Sequence, residues 1–370
     1  MPRFELLVGA GAFWRRAAAD LAGARRRVLV QAMTFEGDAA GKMAAADIAA
    51  SPARDRRLLV DDYSRHMISD RFVHAPSALL DRAFRAEVRD THALFAALVR
   101  AGVGVRITNP VGPLFVRYPA RNHKKLIVVD DAAYLGGVNF SDHNFAWHDF
   151  MLRIEDTAFA DACADDFDAT WAGRPVASHR EMGDLTLISM DGRQNLRSFE
   201  AVMALVEGAQ RRITVISPYL TFPMTDALRA AAGRGVAVEL ITPRDNNKAM
   251  VRDYLLAEAA DAGFQVRLLP GMSHLKGLVI DDEALIVGSS NFDFVSLGAE
   301  EEIVVVARNP DLVAEFRRLV VGPALAEALP DGAYAVDRAA ARKAERTLRL
   351  AARIVALARN APRGVVEVKG

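Results

Sequence analysis

The sequence predicts an α/β protein built from two tandem copies of one folding unit. Two observations support this: short β-branched apolar runs alternate with helical patterns, and the same order of runs occurs twice. Residues 26–35 resemble residues 211–220, and the segment that begins at His123 resembles the one that begins at His274. Each copy is therefore expected to fold as an α-β-α sandwich around a largely parallel or mixed sheet.

The two copies contain corresponding segments in the same order. The matched pairs are 26–35 with 211–220, 58–62 with 240–243, 101–107 with 262–268, and 123–130 with 274–281. Helical patterns, such as those at 79–100 and 224–233, separate these predicted strands. The polar segment 173–180, which contains a proline, is a natural linker. We therefore predict a first copy at residues 1–175, a second copy at 176–335, and a basic amphipathic helix with a tail at 336–370.

The composition excludes several classes of protein. Hydrophobic residues make up 51% of the 370 residues and charged residues 25%, which is typical of a globular protein and not of a disordered one. The formal net charge is zero, so no overall positive field attracts a polyanion. The single cysteine, Cys163, excludes an intrachain disulfide and fits a reducing, cytoplasmic compartment. No apolar run approaches the ~20 residues that span a bilayer, so neither a signal peptide nor a transmembrane helix is predicted.

The pattern His-x-Lys-x4-Asp occurs twice, at corresponding positions of the two copies. Its residues are His123, Lys125 and Asp130 in the first copy, and His274, Lys276 and Asp281 in the second. The chain has only 8 histidines and 7 lysines, so two such patterns in matching places are not a coincidence. Residues i and i+2 of a strand point to the same side, so each copy presents an imidazole beside an ammonium. That pair suits an anionic phosphate ester.

The segments around both motifs resemble the phospholipase D superfamily, whose members carry two such motifs, and within it the bacterial cardiolipin synthases and phospholipases D. The resemblance covers about residues 26–310 and rests on the segments 121–125, 136–139, 147–149, 217–219 and 288–293. It implies the phospholipase D fold, in which the two copies form a bilobal unit with pseudo-two-fold symmetry and one active site at their interface. It also implies that neither a metal nor another cofactor is required.

The resemblance further implies a chemical role for each motif. One imidazole attacks phosphorus and forms a covalent phosphohistidine, while the other protonates the leaving alkoxide and later deprotonates the acceptor. We expect His123 to be the nucleophile and His274 the general acid and base, although the sequence leaves the reverse assignment open. The side chains expected to bind the phosphate oxygens or the rest of the substrate are Lys125, Lys276, Asn139, Asn291, Ser289, Tyr219 and His148.

Each of these histidines needs an acceptor that fixes its tautomer, and the resemblance implies a carboxylate downstream of each motif. Glu302 stands at the expected distance in the second copy, with its neighbours Glu300 and Glu301 as alternatives. Asp149 is the candidate in the first copy.

The motif aspartates, Asp130 and Asp281, are grouped with the catalytic residues, although they resemble positions that are structural in the family. Each begins an Asp-Asp pair at a predicted strand end, as Asp61 does. A solvated turn is the expected environment there, so no metal site is predicted.

An insertion at residues 111–119, directly before the first motif, bears on contact with lipid. It carries Leu114, Phe115, Val116 and Tyr118 on a loop expected at the mouth of the active site. These side chains suit acyl chains or a bilayer surface, or they fold back into a core of the loop's own.

The segment 338–359 also bears on contact with lipid, because it contains seven basic residues and one acidic residue. Leu348, Ala352 and Val355 recur in it at helical spacing. This pattern predicts a cationic amphipathic helix that either lies on an anionic membrane or packs on the domain with its arginines outward.

The expected function is phospholipid phosphodiester transfer of the cardiolipin synthase type, with a second phospholipid or a small alcohol as acceptor. A phospholipase D that uses water and releases phosphatidic acid is one alternative. A nuclease of the same superfamily is another, but the zero net charge argues against DNA or RNA as a partner. The sequence thus predicts a cytoplasmic enzyme that acts peripherally at the inner face of the cell membrane.

Overall fold

The computed structural model describes residues 2–330 and 334–370, which divide into two compact units. Unit 1 comprises Met1–Val176 and Asn360–Gly370, and unit 2 comprises Ala177–Arg359. Each unit contains one large mixed sheet with helices packed on it. The predicted α/β class with two related halves is confirmed.

The large sheet of unit 1 has eight strands within the described residues. They are β1 (Arg3–Val8), β2 (Arg27–Ala32), β3 (Asp55–Asp61), β6 (Gly104–Thr108), β7 (Leu126–Val129), β8 (Ala132–Gly136), β9 (Phe150–Glu155) and β18 (Val365–Glu367), while β4 (Met67–Ile68) and β5 (Arg71–Phe72) form a separate hairpin. The order across the sheet is β1-β9-β8-β7-β2-β3-β6-β18. Strands β2, β3 and β6 run parallel, and the other neighbours are antiparallel.

Helices cover both faces of this sheet. They are α1 (Ala10–Gly23), α2 (Ala39–Ala50), α3 (Pro76–Leu80), α4 (Arg82–Arg100), α5 (Asp142–Ala146) and α6 (Thr157–Trp171). Val28 and Val30 of β2 share a core with α1, α2 and α4, whereas alternate residues such as Leu29 point to the opposite face. Helix α6 packs on β7, β8 and β9. The buried strands are apolar on both faces for this reason.

Unit 2 has a sheet of eight strands among the residues described. They are β10 (Ser178–Met182), β11 (Leu185–Asp191), β12 (Arg212–Ile216), β13 (Ala237–Pro243), β14 (Gln265–Leu269), β15 (Gly277–Ile280), β16 (Ala284–Gly288) and β17 (Glu301–Ala307). Its helices are α7 (Asn195–Ser198), α8 (Glu200–Gly208), α9 (Met224–Gly233), α10 (Ala249–Ala262), α11 (Pro310–Phe316), α12 (Gly322–Glu327) and α13 (Arg338–Ala358). The strand order is β10-β11-β17-β16-β15-β12-β13-β14.

Seven strands have the same order in the two sheets. The series β1-β9-β8-β7-β2-β3-β6 of unit 1 corresponds to β11-β17-β16-β15-β12-β13-β14 of unit 2. The three parallel strands correspond as well, because β12, β13 and β14 pair in parallel. The repeat seen in the sequence is therefore a repeat of topology. The eighth strand differs, since β18 extends the β6 edge in unit 1 and β10 extends the β11 edge in unit 2.

The C-terminal segment differs from the separate helix and tail expected at 336–370. Helix α13 packs on α10 and belongs to unit 2, whereas the tail returns to unit 1, where β18 pairs with β6. In the described part of the chain, no helix is both long enough and apolar enough to cross a bilayer.

A buried ion pair anchors the first motif segment to the helical layer of unit 1. The Nζ atom of Lys124, which lies between His123 and Lys125, donates to both carboxylate oxygens of Asp166 in α6 at 2.8 Å. It also donates to Thr170 Oγ1 at 3.3 Å. Lys124 is 0% exposed and Asp166 2%, so each charge depends on the other for neutralisation.

We expect Lys124→Ala to reduce the free energy of unfolding by about 3–5 kcal/mol, because it leaves a buried carboxylate without its partner. The double variant Lys124→Met with Asp166→Leu should be clearly more stable than the single variant. Urea unfolding followed by circular dichroism measures both. Lys42→Ala is the matched control, since it breaks the exposed Lys42–Asp90 pair and should have no measurable effect. Equal losses in Lys124→Ala and Lys42→Ala would contradict this account.

Candidate active site

The first motif residues lie immediately before strand β7. His123 and Lys125 occupy an extended segment that ends where β7 begins at Leu126, so they stand just outside the strand on which the sequence placed them. The Nζ atom of Lys125 donates to the carbonyl oxygen of His123 at 2.7 Å. His123 is 6% exposed and Lys125 1%, so the pair is nearly enclosed.

Buried polar contacts hold the chain directly before His123. The guanidinium of Arg121 donates to Asp61 Oδ1 at 2.8 Å, and the backbone N–H of Asn122 donates to Asp61 Oδ2 at 2.6 Å. Complete burial raises the pKa of Asp61, although the Arg121 charge and the backbone donors oppose that shift. Gln31 Nε2 in β2 donates to Asn122 Oδ1 at 2.9 Å. Hydrogen bonds from Gln31 in β2 and to Asp61 at the end of β3 therefore fix the orientation of the chain before His123.

The second motif repeats this arrangement before β15. Lys276 Nζ donates to the carbonyl oxygen of His274 at 2.7 Å, which is the distance found in the first motif. His274 is 5% exposed and Lys276 1%. The same local geometry thus occurs at both motifs, as the duplication predicts.

Tyr219 and Lys248 lie beside His274. The ring of Tyr219 packs edge-on to the imidazole with 6.0 Å between centroids, and its hydroxyl donates to Asn247 Oδ1 at 2.6 Å. The Nζ atom of Lys248 lies 4.2 Å from the centroid of the Tyr219 ring, within the range of a cation–π contact. The sequence pattern does not predict a role for Lys248, because this residue lies in the loop before α10, outside any motif. Its one available signal was the scarcity of lysine in this chain.

Lys248 is also near Asp293, the last residue of the segment 288–293. Burial raises the pKa of Asp293, the Ser296 N–H and the Lys248 charge oppose the shift, and the Glu302 carboxylate adds to it. Asp293 Oδ1 accepts from Ser296 N at 2.7 Å. Asp293 thus interacts electrostatically both with Lys248 and with the Glu302 carboxylate.

Asp149 and Glu302 occupy equivalent positions in the two sheets. Asp149 lies two residues before Met151, the partner of Gly136 across β8 and β9. Glu302 lies two residues before Val304, the partner of Gly288 across β16 and β17. Asp149 is 1% exposed and Glu302 0%. The register therefore shows that Glu302, and not Glu300 or Glu301, is the residue of unit 2 that corresponds to Asp149 of unit 1.

The side chains next to these carboxylates differ between the units. In unit 2, the hydroxyl of Ser289 donates to Glu302 Oε2, and its oxygen accepts from the N–H of Ile303 at 3.0 Å. In unit 1 the corresponding residue is Gly137, and a Cβ atom there would lie 2.5 Å from Asp149 Oδ2. The Asp149 carboxylate of unit 1 thus occupies the space that the Ser289 side chain fills in unit 2.

This contact bears on the prediction for Ser289. Its hydroxyl has one proton to donate, and both Glu302 Oε2 and the Ile303 carbonyl oxygen lie within hydrogen-bond distance of it. Ser289 therefore helps to hold a carboxylate in place, and its expected contact with the substrate stays a prediction.

The two motif aspartates hold the backbone at the far end of the motif strands. The carboxylate of Asp130 accepts from the backbone N–H groups of Arg25, Arg26 and Arg27 at 2.8–3.0 Å. Burial opposes ionisation, but these donors keep the pKa of Asp130 below its usual value.

Asp281 makes the equivalent contacts in unit 2. Its carboxylate accepts from the N–H groups of residues 210, 211 and 212 at 2.7–2.9 Å, and its pKa is lowered in the same way. Both aspartates follow their strands, whereas His123 and His274 precede them. These backbone contacts agree with the structural positions that the two aspartates resemble, and their grouping with the catalytic residues stays a prediction.

The motif asparagines are buried beside the ends of the central strands. Asn139 Oδ1 accepts from Thr34 N at 3.3 Å, and Ser217 Oγ donates to the Asn291 carbonyl oxygen at 2.9 Å. Within the described residues, Oδ1 of Asn291 is buried without a hydrogen-bond partner. A buried acceptor of this kind is suited to a ligand that donates a hydrogen bond. His148 is half-buried directly before Asp149.

The insertion 111–119 divides its apolar side chains between two environments. The ring of Phe115 packs against His66, Phe72 and His74, and Tyr118 packs on Tyr63. Leu114 and Val116 point outward and are 93% and 66% exposed. Part of the loop thus packs on neighbouring aromatic side chains, and contact of the exposed Leu114 and Val116 with lipid stays a prediction.

One further carboxylate cluster in unit 1 has the spacing of a metal site. Oxygen atoms of Glu36, Asp38 and Glu87 lie within 4.8 Å of one another. Burial raises the pKa of Glu36 to about 8, so it is protonated at neutral pH. Asp38 caps α2 through Gly41 N, and Glu87 accepts from Ser69 Oγ at 2.5 Å. These contacts give the cluster a structural explanation.

Comparison with known families supports the duplication. A family model described as "Cardiolipin synthase, PLD-like domain" matches residues 18–171 and 202–320. The minor cardiolipin synthase ClsB of Bacillus subtilis is 31% identical over 252 residues, which cover 61% of this chain and 62% of that protein. Cardiolipin synthase A of Yersinia pseudotuberculosis is 28% identical over 246 residues, covering 58% of this chain and 50% of that protein. The match spans less than two thirds of either relative.

Solved structures share the fold at low sequence identity. A phosphatidylserine synthase from Haemophilus influenzae matches with a TM-score of 0.70 and 14% identity, over 96% of this chain and 94% of that one. A polyphosphate kinase from Porphyromonas gingivalis matches with a TM-score of 0.56 and 13% identity, over 95% of this chain and 56% of that one. At such identities the likeness concerns the fold alone.

We expect Gly137→Ala to reduce the free energy of unfolding by about 1–3 kcal/mol, because its methyl group would overlap the buried Asp149 carboxylate. Urea unfolding monitored by circular dichroism measures the effect. Gly23→Ala, at the end of α1, is the control, since a Cβ there meets no described atom within 4 Å. If the two variants are equally stable, the packing described for Gly137 is wrong.

Proposed function

The chain belongs to the family of cardiolipin synthases with a phospholipase D-like domain, and we propose that it transfers a phosphatidyl group between alcohols through a covalent phosphohistidine. The observation that carries this proposal is the repetition of one local geometry at two motifs. Each motif contains a nearly buried histidine and a lysine whose Nζ atom donates to that histidine's carbonyl oxygen at 2.7 Å. Each unit also has a carboxylate at the corresponding position of its sheet.

Two sites of this kind suit one phosphodiester exchange. We assign the attack on phosphorus to an imidazole nitrogen of His123, which forms a P–N bond as the P–O bond to the leaving alcohol breaks. His274 gives its proton to the leaving oxygen. It then takes the proton of the acceptor hydroxyl, whose oxygen attacks phosphorus and breaks the P–N bond, so both histidines return to their starting states.

The remaining residues of the two sites support these steps. Lys125, Lys276, Asn139 and Asn291 bind the non-bridging oxygens, whose negative charge they stabilise as it increases in the transition state. The Nδ2–H groups of the two asparagines are the donors suited to this role. Asp149 and Glu302 accept from the distal imidazole nitrogens and fix the tautomers. Tyr219 and His148 contact the rest of the substrate. No step requires a metal or another cofactor.

The proposed donor is a phospholipid, and the favoured acceptor is a second phospholipid or a small alcohol. We place the protein peripherally at the inner face of the cell membrane, because the anionic lipids of that face attract basic segments such as 338–359. Hydrolysis with water as acceptor is the competing reaction, since it shares the first half of the cycle.

Incubation of the full chain with phosphatidylglycerol vesicles should yield cardiolipin and glycerol, identified by mass spectrometry. His123→Ala should lose at least about 10³-fold in rate and form no phosphoenzyme, whereas His274→Ala should retain a trapped phosphoenzyme. His92→Ala, which changes a surface histidine, should be unaffected.

Phosphoenzyme in His123→Ala but not in His274→Ala would reverse the two assignments. Phosphatidic acid as the main product would favour the hydrolase. Cleavage of single-stranded DNA with no change in any lipid would refute the proposed function and favour a nuclease.

Lys248 supplies a second cation near His274, and we assign it to the phosphate of an acceptor phospholipid. Its ammonium is held on the Tyr219 ring, which itself contacts the imidazole. An acceptor lipid carries its own phosphate, whereas glycerol and water carry no charge for this cation to recognise. Lys248 therefore favours transfer to a lipid over hydrolysis.

Lys248→Ala should raise the KM for acceptor phosphatidylglycerol about tenfold to 100-fold, the effect expected from the loss of one charged hydrogen bond. The rate of hydrolysis should stay unchanged. Arg244→Ala, in the same loop but paired with Asp245, is the control and should keep the ratio of transfer to hydrolysis. A parallel fall of transfer and hydrolysis in Lys248→Ala would exclude this assignment.

A further inference from the structure

Helix α13 has two apolar sides, and the structure buries one of them. Ala341, Ala344, Leu348 and Val355 are 2–6% exposed and face the body of unit 2, where the helix packs on α10. Leu348 and Ala344 belong to the core of the unit. The sequence left open whether this apolar stripe lies on a membrane or packs on the domain, and in the structure it packs on the domain.

The other apolar side of α13 is open to solvent. Leu350, Ile354 and Leu357 are 59%, 54% and 83% exposed. Their spacing of four and then three residues places them on one face of the helix, within about 60° of arc. That face lies about 140° from the buried stripe. Three large aliphatic side chains on one surface require a physical explanation, because the contact of each with water is energetically unfavourable.

Cations lie on the same side of the helix. Lys343, Arg346 and Arg353 fall within the arc of the three aliphatic side chains or next to it, and none of them forms an ion pair of 4 Å or less with a described residue. The one acidic residue of the helix, Glu345, is paired with Arg349. We call these three cations together with Leu350, Ile354 and Leu357 the outer face of α13.

We propose that the outer face of α13 binds the surface of an anionic lipid bilayer, with the helix lying parallel to the membrane plane. The aliphatic side chains enter the boundary between headgroups and acyl chains, and the longer Lys and Arg side chains extend to the lipid phosphates. The inference deepens the proposed function, on which it rests for the substrate's location in a membrane.

Charge distinguishes the bilayer from the other occupants of such a face. Two copies of the chain that met through it would bring three cations against three cations with no carboxylate between them, which is repulsive. Three aliphatic side chains also bury far less area than the ~800 Å² per partner of a stable protein interface. A bilayer of anionic lipid satisfies the charges and the apolar side chains together.

The test is cosedimentation of the full chain with vesicles of phosphatidylglycerol and phosphatidylcholine in equal parts, with pure phosphatidylcholine vesicles as reference. The wild type should bind the anionic vesicles at least about tenfold more tightly, and added salt should weaken the binding. The triple variant Leu350→Ser, Ile354→Ser, Leu357→Ser should bind at least about tenfold more weakly than the wild type. The triple variant Lys343→Gln, Arg346→Gln, Arg353→Gln should lose the preference for the anionic lipid.

Leu80→Ser is the matched control, because Leu80 is as exposed as Leu357, at 86%, but lies in α3 of unit 1. It should bind like the wild type. Leu357→Ser alone keeps the test available if the triple variant does not fold, and it should weaken binding in the same direction. Unchanged binding in the variants, or no binding by the wild type, would overturn the proposal. Conversion of a wild-type dimer to a monomer by the serine variants would assign the face to a second copy instead.

Activity is read separately from binding. With a short-chain phosphatidylglycerol dispersed as monomers, the serine variant should turn over at the wild-type rate while its rate on vesicles falls. Vesicle binding without any lipid product would refute the proposed function and leave the role of the outer face intact. Product formation on vesicles at the same rate in the wild type and the serine variant would support the proposed function and refute the role of the outer face.

Discussion

Buried positive charge around the first motif is the constraint on which the arrangement of unit 1 depends. Between Arg121 and Lys125, three cationic side chains are at most 2% exposed. A cation in such surroundings is tolerated only with a carboxylate or several oxygen acceptors beside it. Asp61 at the end of β3 pairs with Arg121, and Asp166 in α6 pairs with Lys124. The third cation, Lys125, donates to the carbonyl oxygen of His123, in a segment whose position the two flanking ion pairs help to determine.

The two motif sites share their framework but differ in how a carboxylate is accommodated. In unit 2 the longer Glu302 is held by the hydroxyl of Ser289, whereas in unit 1 the shorter Asp149 fills the space beside Gly137. Asp149 accepts from the backbone N–H of Phe150 at 2.8 Å, whereas Glu302 accepts from a side-chain hydroxyl. The two carboxylates thus have different donors, and different surroundings shift the basicity of neighbouring groups differently. Such a difference suits the separate roles of nucleophile and general acid that we propose for the two histidines.

The sequence predicted the parts of the fold and the site that repeat. The repeated order of strands and the two motifs followed from two matching series of segments, because each copy could be compared with the other. The pairing of Asp149 with Glu302 came from the family resemblance, which implies a carboxylate downstream of each motif. The remaining features have no second copy. Lys248 lies in a loop of unit 2, and only tertiary packing brings it to Tyr219. Helix α13 has apolar residues on two sides, and periodicity alone does not determine which of them is buried. The hydroxyl of Ser289 was assigned to the substrate because its competitor, Glu302, is distant in sequence.

The sheet of unit 1 is completed only after unit 2 has been synthesised, because its strand β18 comes last in the chain. Strand β18 covers the β6 edge of the first sheet, yet it is encoded after the whole of unit 2. During synthesis, unit 1 therefore emerges from the ribosome with that edge open, and the edge stays open until Val365–Glu367 has been made. An uncovered strand edge is a template for pairing with another chain. The nascent protein thus carries a temporary aggregation hazard that the finished one lacks, and a first repeat produced alone as residues 1–175 would keep it permanently.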